Sequence, residues 1–204
     1  EDRSEYYQFP YMHRADLVSP PGWAQDAVIY NVFPDSFATG EGYISGRESQ
    51  KEFRGKTVRG KRGGTLRGIT ENLGYLEELG INTLYMNPIF AAGEYHKYDL
   101  LDYFHVDPCF GTDADFRELV DTCHEKGMRV IIDGVFNHCG WQWDKFEDVV
   151  EKGQASPYKD WFYRLEFPVE RPEDPQAYPG YECFGYERLM PKLATDREET
   201  AEYF

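Results

Sequence analysis

The chain has 204 residues, enough to bury a sizeable core and to form one or two domains. With 37 acidic against 22 basic residues its formal net charge is −15, which serves solubility and repels nucleic acid and anionic membranes, so neither is an expected partner. There is no transmembrane run or signal-peptide pattern, and four cysteines without CxxC spacing supply neither a zinc nor a redox motif, so a reducing cytoplasm is the default setting.

In chain order, residues 1–26 are polar and aromatic, punctuated by Pro10, Pro20, Pro21 and Gly22. They read as a linker or strap from an upstream domain, and the start at Glu1 without Met fits that expectation. Ala27-Val28-Ile29-Tyr30-Asn31-Val32-Phe33 is a buried strand ended by Pro34-Asp35. Residues 38–64 form a Gly-rich loop whose Lys51, Arg54, Lys56, Arg59, Lys61 and Arg62 suit solvent better than a binding patch. A helix over 67–79 follows, with Ile69, Leu73, Leu76 and Leu79 on one face and Gly80 as its stop. Asn82–Met86 is the next strand, broken at Asn87-Pro88. A second helix opens with Thr112-Asp113-Ala114-Asp115, a capping-box-like start, and its apolar face is Phe116, Leu119, Val120 and Cys123. Gly127 ends it, and a strand over 129–135 runs to Asp133.

Twice a helix ends at Gly and a strand runs on to a polar residue, which predicts a parallel sheet with crossover helices. The stretch 139–190 is aromatic, Pro-rich and without clear regular elements, as expected of an inserted subdomain. There Trp141 and Trp143 are read as core residues before sugar platforms. Cys139 and Cys183 lie where one bridge could join the loop, although nothing in the spacing requires it. A further helix starts near Thr195 and runs to Phe204. Three strands are countable, fewer than the eight of a closed barrel. The fold class is therefore α/β and the chain reads as a piece; with the resemblance given below, the expected parts are the N-terminal part of a (β/α)8 barrel over 27–138, an insert over 139–190, and a return to the barrel over 191–204.

Chemistry is concentrated at the ends of the strands, where parallel sheets keep their ligand sites. Asp133 can orient a hydroxyl or an arginine, and His138 can donate to a hydroxyl. Asn137 can lend an amide oxygen to calcium. In the loop after the second strand, Tyr98 offers a ring face to the C–H face of a pyranose and His96 a hydrogen-bond donor. His96, His105 and His138 lack HxH or HExxH spacing, so transition-metal ligation is set aside.

Asp133-Gly-Val-Phe-Asn137-His138 resembles the first signature of the α-amylase family, glycoside hydrolase family 13. His96-Lys-Tyr98-Asp99-Leu-Leu-Asp102-Tyr-Phe resembles the segment that shapes that family's cleavage subsite, and Phe110-Gly111-Thr112 its second barrel helix. Asp160-Trp161-Phe162 and Met190-Pro191-Lys192-Leu193 are similar to the neopullulanase, cyclomaltodextrinase and maltogenic-amylase branch. The likeness runs from about Trp23 to the end of the chain.

The resemblance implies a retaining hydrolase of α-1,4 glucosidic bonds, with α-1,6 bonds as a second target. Tyr98 would stack on the sugar, His96 and His138 would donate to its hydroxyls, and Asp133 would hold the family's arginine. The nucleophile and acid/base belong to strands this chain does not contain, so it has no catalytic residue of its own. No cofactor is required. Calcium is an option through Asn137, although Thr39, Glu41 and Gly63-Gly64-Thr65 depart from the family's other calcium loop, and Ala194 stands where the branch has Asn. The parent protein would bind α-glucan and is a candidate homodimer. Two rivals remain: a catalytically silent α-glucan-binding module, and a complete hydrolase using Asp133 with Asp99 or Glu94.

Overall fold

The computed structural model describes residues 19–40, 51–53, 56–58, 62–173 and 178–204. Residues 1–18 of the expected strap, and part of the basic loop, lie outside the described residues. Three short strands, β1 (Ile29–Val32), β4 (Thr83–Met86) and β5 (Arg129–Ile132), form a parallel sheet in the order β1-β4-β5. Between the first two, β2 (Lys51–Phe53) and β3 (Lys56–Val58) pair as an antiparallel ribbon within the expected loop.

The register is simple: Val32 pairs with Met86, and Met86 with Ile132. The ladder continues one residue beyond each strand, where the Asn87 N–H donates to the Val32 carbonyl at 3.0 Å and the Asp133 N–H to the Met86 carbonyl at 2.9 Å. Asn87 and Asp133 therefore leave the same edge of the sheet side by side.

The expected helix over 67–79 is two: α1 (Leu66–Glu71) and α2 (Leu73–Glu78). The break is at Asn72, whose side-chain amide donates to the Gly68 carbonyl at 2.8 Å while its backbone leaves the helical region. Such local side-chain bonding competes with a helix interior. Thr65 caps α1 by accepting from the Gly68 N–H at 3.0 Å. Helix α3 (Asp113–Glu125) starts with a full capping box between Thr112 and Asp115. It ends before Gly127, whose φ of 71° suits a residue without a Cβ. Leu66, Ile69, Leu73 and Leu76 from α1 and α2, with Leu119 and Cys123 from α3, pack on Leu84 and Met86 as one core.

A second core belongs to the insert. Helix α4 (Asp144–Lys152) and the hairpin of β6 (Cys183–Phe184) and β7 (Glu187–Pro191) supply regular structure where the sequence reading found none. Trp143, Phe146, Val149, Phe162 and Tyr181 are buried there, and Phe146 meets Phe162 edge-on at 4.8 Å between centroids. Trp141 and Trp143 are both core residues. All four cysteines are free thiols, so Cys139 and Cys183 form no bridge. Entry to and exit from the insert run alongside each other. Leu193 N–H donates to the Asn137 carbonyl at 2.9 Å, Cys139 N–H to Pro191 at 3.0 Å, and Trp141 N–H to Leu189 at 3.0 Å. The last helix, α5 (Glu198–Tyr203), begins three residues later than expected, and its Tyr203 packs on Trp161 and Trp143. Among the described residues no helix is long and apolar enough to cross a membrane.

Gly68 tests how tightly α1 is set against the first strand's loop. A Cβ there would lie 2.0 Å from the Ala38 carbonyl oxygen and 2.8 Å from the Gly40 nitrogen, both backbone atoms. Helix propensity alone favours Ala over Gly by about 1 kcal/mol, whereas overpacking costs about 1–3 kcal/mol, and a rigid backbone neighbour puts this site at the upper end. Gly68→Ala is therefore expected to lower the melting temperature, and an unchanged or raised value would show that the loop gives way freely.

Candidate functional site

The polar strand ends meet one tyrosine. Tyr98, half-buried in the loop after β4, accepts a hydrogen bond from the Asn87 side-chain amide at 3.2 Å and donates its hydroxyl to Asp133 Oδ2 at 2.8 Å. Burial, with a further contribution from the Asp133 carboxylate, raises the phenol above its ordinary pKa against the opposing Asn87 contact. Tyr98 therefore keeps its proton at neutral pH and acts as a donor. The sequence marks Asn87 as a strand breaker and, like Asp133, as the polar residue on which a strand ends, but gives it no place in the site.

His96 is exposed, and its ring lies 6.1 Å from that of Tyr98. The Tyr98 backbone N–H donates to His96 Nδ1 at 3.0 Å, which leaves the neutral ring's proton on Nε2. That N–H is available to a ligand hydroxyl. Asp99, beside it, is buried; burial raises its carboxyl pKa although Oδ1 accepts from the Glu94 N–H at 3.0 Å.

His138 sits beneath this group rather than beside it. Only 4 % of it is exposed, and Phe184 from β6 stacks on it at 4.6 Å. Nδ1 lies 3.1 Å from the Asn137 amide nitrogen, so it accepts, and Nε2 donates to the Tyr98 carbonyl at 2.9 Å. Both nitrogens are engaged, and donation to a sugar hydroxyl requires the Tyr98 bond to be given up.

Asn137 is exposed, and its backbone carbonyl is used by Leu193. Calcium takes six to eight oxygens. Among the described residues no group of three or more His, Cys, Asp or Glu converges on a point suited to a metal ion. One amide oxygen is not a calcium shell. Thr39 is described, its carbonyl accepting from the Thr65 hydroxyl at 3.3 Å, whereas Glu41 lies outside the described residues.

A buried carboxylate braces the site from the first strand. Asp35, in the turn Pro34–Ser36 that follows β1, accepts from the Arg62 and Gly63 N–H groups at 2.7 Å each and from the Tyr95 hydroxyl. It thereby links the loop after β1 to the loop that carries His96 and Tyr98.

The family description "Alpha amylase, catalytic domain" matches residues 31–198. The chain belongs to the α-amylase family. A cyclomaltodextrinase of Geobacillus thermopakistaniensis is 44% identical over 100% of this chain and 34% of its own length. An intracellular maltogenic amylase of Bacillus subtilis is 42% identical over 97% of the chain and 33% of its own length. The cyclic α-maltosyl-(1→6)-maltose hydrolase of Arthrobacter globiformis superposes with a TM-score of 0.75 at 34% identity, over 91% of this chain and 41% of that one. The chain thus spans about a third of the curated relatives it matches. Its three parallel strands and their crossover helices are the α/β architecture of an N-terminal part of this family's barrel.

Burial holds the His138 imidazole below its ordinary pKa despite the bond to the Tyr98 carbonyl. The folded pKa is depressed, so the unfolded chain binds the proton more readily. The contribution to stability is complete above the unfolded value of about 6.5 and is lost as pH falls through the folded value. Urea unfolding of the wild type is expected to show stability declining from neutral pH to about 5. In His138→Gln, which keeps an amide donor but does not titrate, that slope should be shallower; an identical slope would contradict the assignment.

Proposed function

We propose that this chain is the N-terminal part of the catalytic barrel of a retaining α-glucan hydrolase, acting on α-1,4 and, as a second target, α-1,6 glucosidic bonds. The observation that carries the reading is the hydrogen-bonded array Asn87–Tyr98–Asp133 at one edge of a parallel sheet, with the free Nε2–H of His96 beside it. A half-buried ring held by its hydroxyl is a surface for the apolar side of a pyranose. The adjacent imidazole supplies a donor for a sugar hydroxyl.

Retaining hydrolysis requires a nucleophile and an acid/base about 5–5.5 Å apart. Of the carboxylates near the array, Asp133 is bonded to Tyr98, while Asp99 is buried and bonded to the Glu94 N–H. Both are committed to the framework, which supports our assignment of the nucleophile and acid/base to sequence outside this chain. The outer strands point the same way: Ile29 on β1 and Ile132 on β5 are 52% and 38% exposed, although strands of parallel sheets are normally covered. The remaining barrel strands are the cover we propose. The name of the Bacillus subtilis relative supports a cytoplasmic setting, and homodimerisation of the whole protein remains part of the proposal.

The test is reducing-sugar release from cyclodextrin, pullulan and soluble starch. The 204-residue chain is expected to release none, and the longer protein carrying it to release sugar from at least one. Turnover by the chain alone would overturn the reading, and saturable glucan binding with an inactive longer protein would favour the silent module. In the active protein, Tyr98→Ala is expected to lower kcat/KM by about tenfold to a hundredfold, equivalent to about 1.4–2.8 kcal/mol of transition-state stabilisation.

A further inference from the structure

Between the exposed His96 and the half-buried Tyr98 stands a lysine with no exposed side-chain surface. Lys97 Nζ lies 2.8 Å from Asp107 Oδ2, the two side chains being 0% and 4% exposed. The ammonium also sits 5.4 Å over the ring of Phe110. Asp107 is held firmly at the far end of the same loop. Its Oδ2 accepts from the Ala92 N–H at 3.2 Å and its Oδ1 from the Cys109 N–H at 3.0 Å.

The backbone at Lys97 is left-handed, with φ of 67°, a region that residues bearing a Cβ seldom adopt. The Lys97 N–H closes the turn onto the Glu94 carbonyl at 3.3 Å. A buried ammonium is tolerated only when paired and hydrogen-bonded. The pair with Asp107 therefore holds the side chain inward and, with it, the left-handed turn. That turn is what lets the flanking residues stand near one another, His96 in solvent and Tyr98 between Asn87 and Asp133.

We propose that Lys97 and Asp107 are positioning residues for Tyr98: their buried ion pair fixes the loop conformation that presents its ring to the glucan. The proposal rests on the glucan-hydrolase reading above. It predicts that the pair acts on turnover through Tyr98 and not merely through overall stability.

The experiment is a double-mutant cycle in the longer protein carrying this chain, with kcat and KM measured on a short maltooligosaccharide. Lys97→Met and Asp107→Asn are each made alone and with Tyr98→Ala, and assayed below their measured melting temperatures. Each single variant is expected to lose tenfold or more in kcat/KM, and adding either to Tyr98→Ala should bring little further loss. Folded variants with wild-type kcat/KM, or losses that multiply with that of Tyr98→Ala, would overturn the proposal. Should Lys97→Met not fold, the nearly isosteric Asp107→Asn makes the same comparison. A wild type that turns over no glucan would remove both readings, whereas an active wild type insensitive to these changes removes this one alone.

Discussion

In a parallel sheet every strand delivers its C-terminal end to the same edge, and here the pairing of Val32 with Met86 and of Met86 with Ile132 brings those ends level. The backbone bonds that extend the ladder by one residue then start Asn87 and Asp133 from adjacent positions. Because of this adjacency one phenol can bond to both side chains. A register slip of one residue would turn Met86 out of the core and Asn87 into it. The burial of Leu84 and Met86 against α1, α2 and α3 therefore guards the site as well as the fold.

The loop between β4 and α3 is too long and too polar to hold a conformation by apolar burial alone. It is tied down by three buried carboxylates, and each meets the cost of burial differently. Asp35 takes two backbone N–H groups and a phenol. Asp107 takes an ammonium and two backbone N–H groups, and Asp99 relies on the Glu94 N–H with His96 at 4.0 Å. The insert is anchored differently: its two ends bond along Asn137–Trp141 and Leu189–Leu193, and the aromatic core fills the space between. His138 lies at this junction, bonded to Tyr98 on one side and covered by Phe184 on the other. The insert and the sugar-facing loop thus meet at this imidazole, at the bond from the Gly140 N–H to the Leu100 carbonyl (2.8 Å), and where Tyr103 packs on Trp143.

Where the controlling interaction is local, the sequence is readable. Thr112 with Asp115, Gly127 with its positive φ, and the apolar spacing of Leu119 and Cys123 announce α3 directly. The strand-end rule likewise reaches Asp133. Where the deciding partner is distant in sequence, the residue types alone mislead or fall silent. Lys97 draws no reading from the sequence, because its partner Asp107 lies ten residues on, and His138 reads as a donor to a ligand until the Tyr98 carbonyl, 40 residues earlier, accepts its N–H. Helix α4 was hidden for a compositional reason: Phe146, Val149 and Val150 carry a helical repeat, but the Trp, Pro and Gly around them break the wider pattern. At Asn72 a side-chain bond to the carbonyl four residues back outweighed a continuous apolar face.

The carboxylates also oppose one another as pH falls. In Asp107 the ammonium of Lys97 and the Cys109 N–H outweigh the cost of burial and hold the pKa below its ordinary value. Its contribution to stability is present above the unfolded pKa of about 3.9 and is lost as pH drops through the folded value. Asp99 has the opposite sign, because burial dominates its contacts and raises the pKa. Protonation relieves that burial, so its contribution is greatest below the unfolded pKa and disappears as pH rises through the folded one. Asp99 follows Lys97 by two residues, whereas Asp107 follows it by ten and returns to pair with its ammonium. Acidification therefore relieves the desolvation of the Asp99 carboxylate by protonating it, while it works against the ion pair of Asp107 with Lys97.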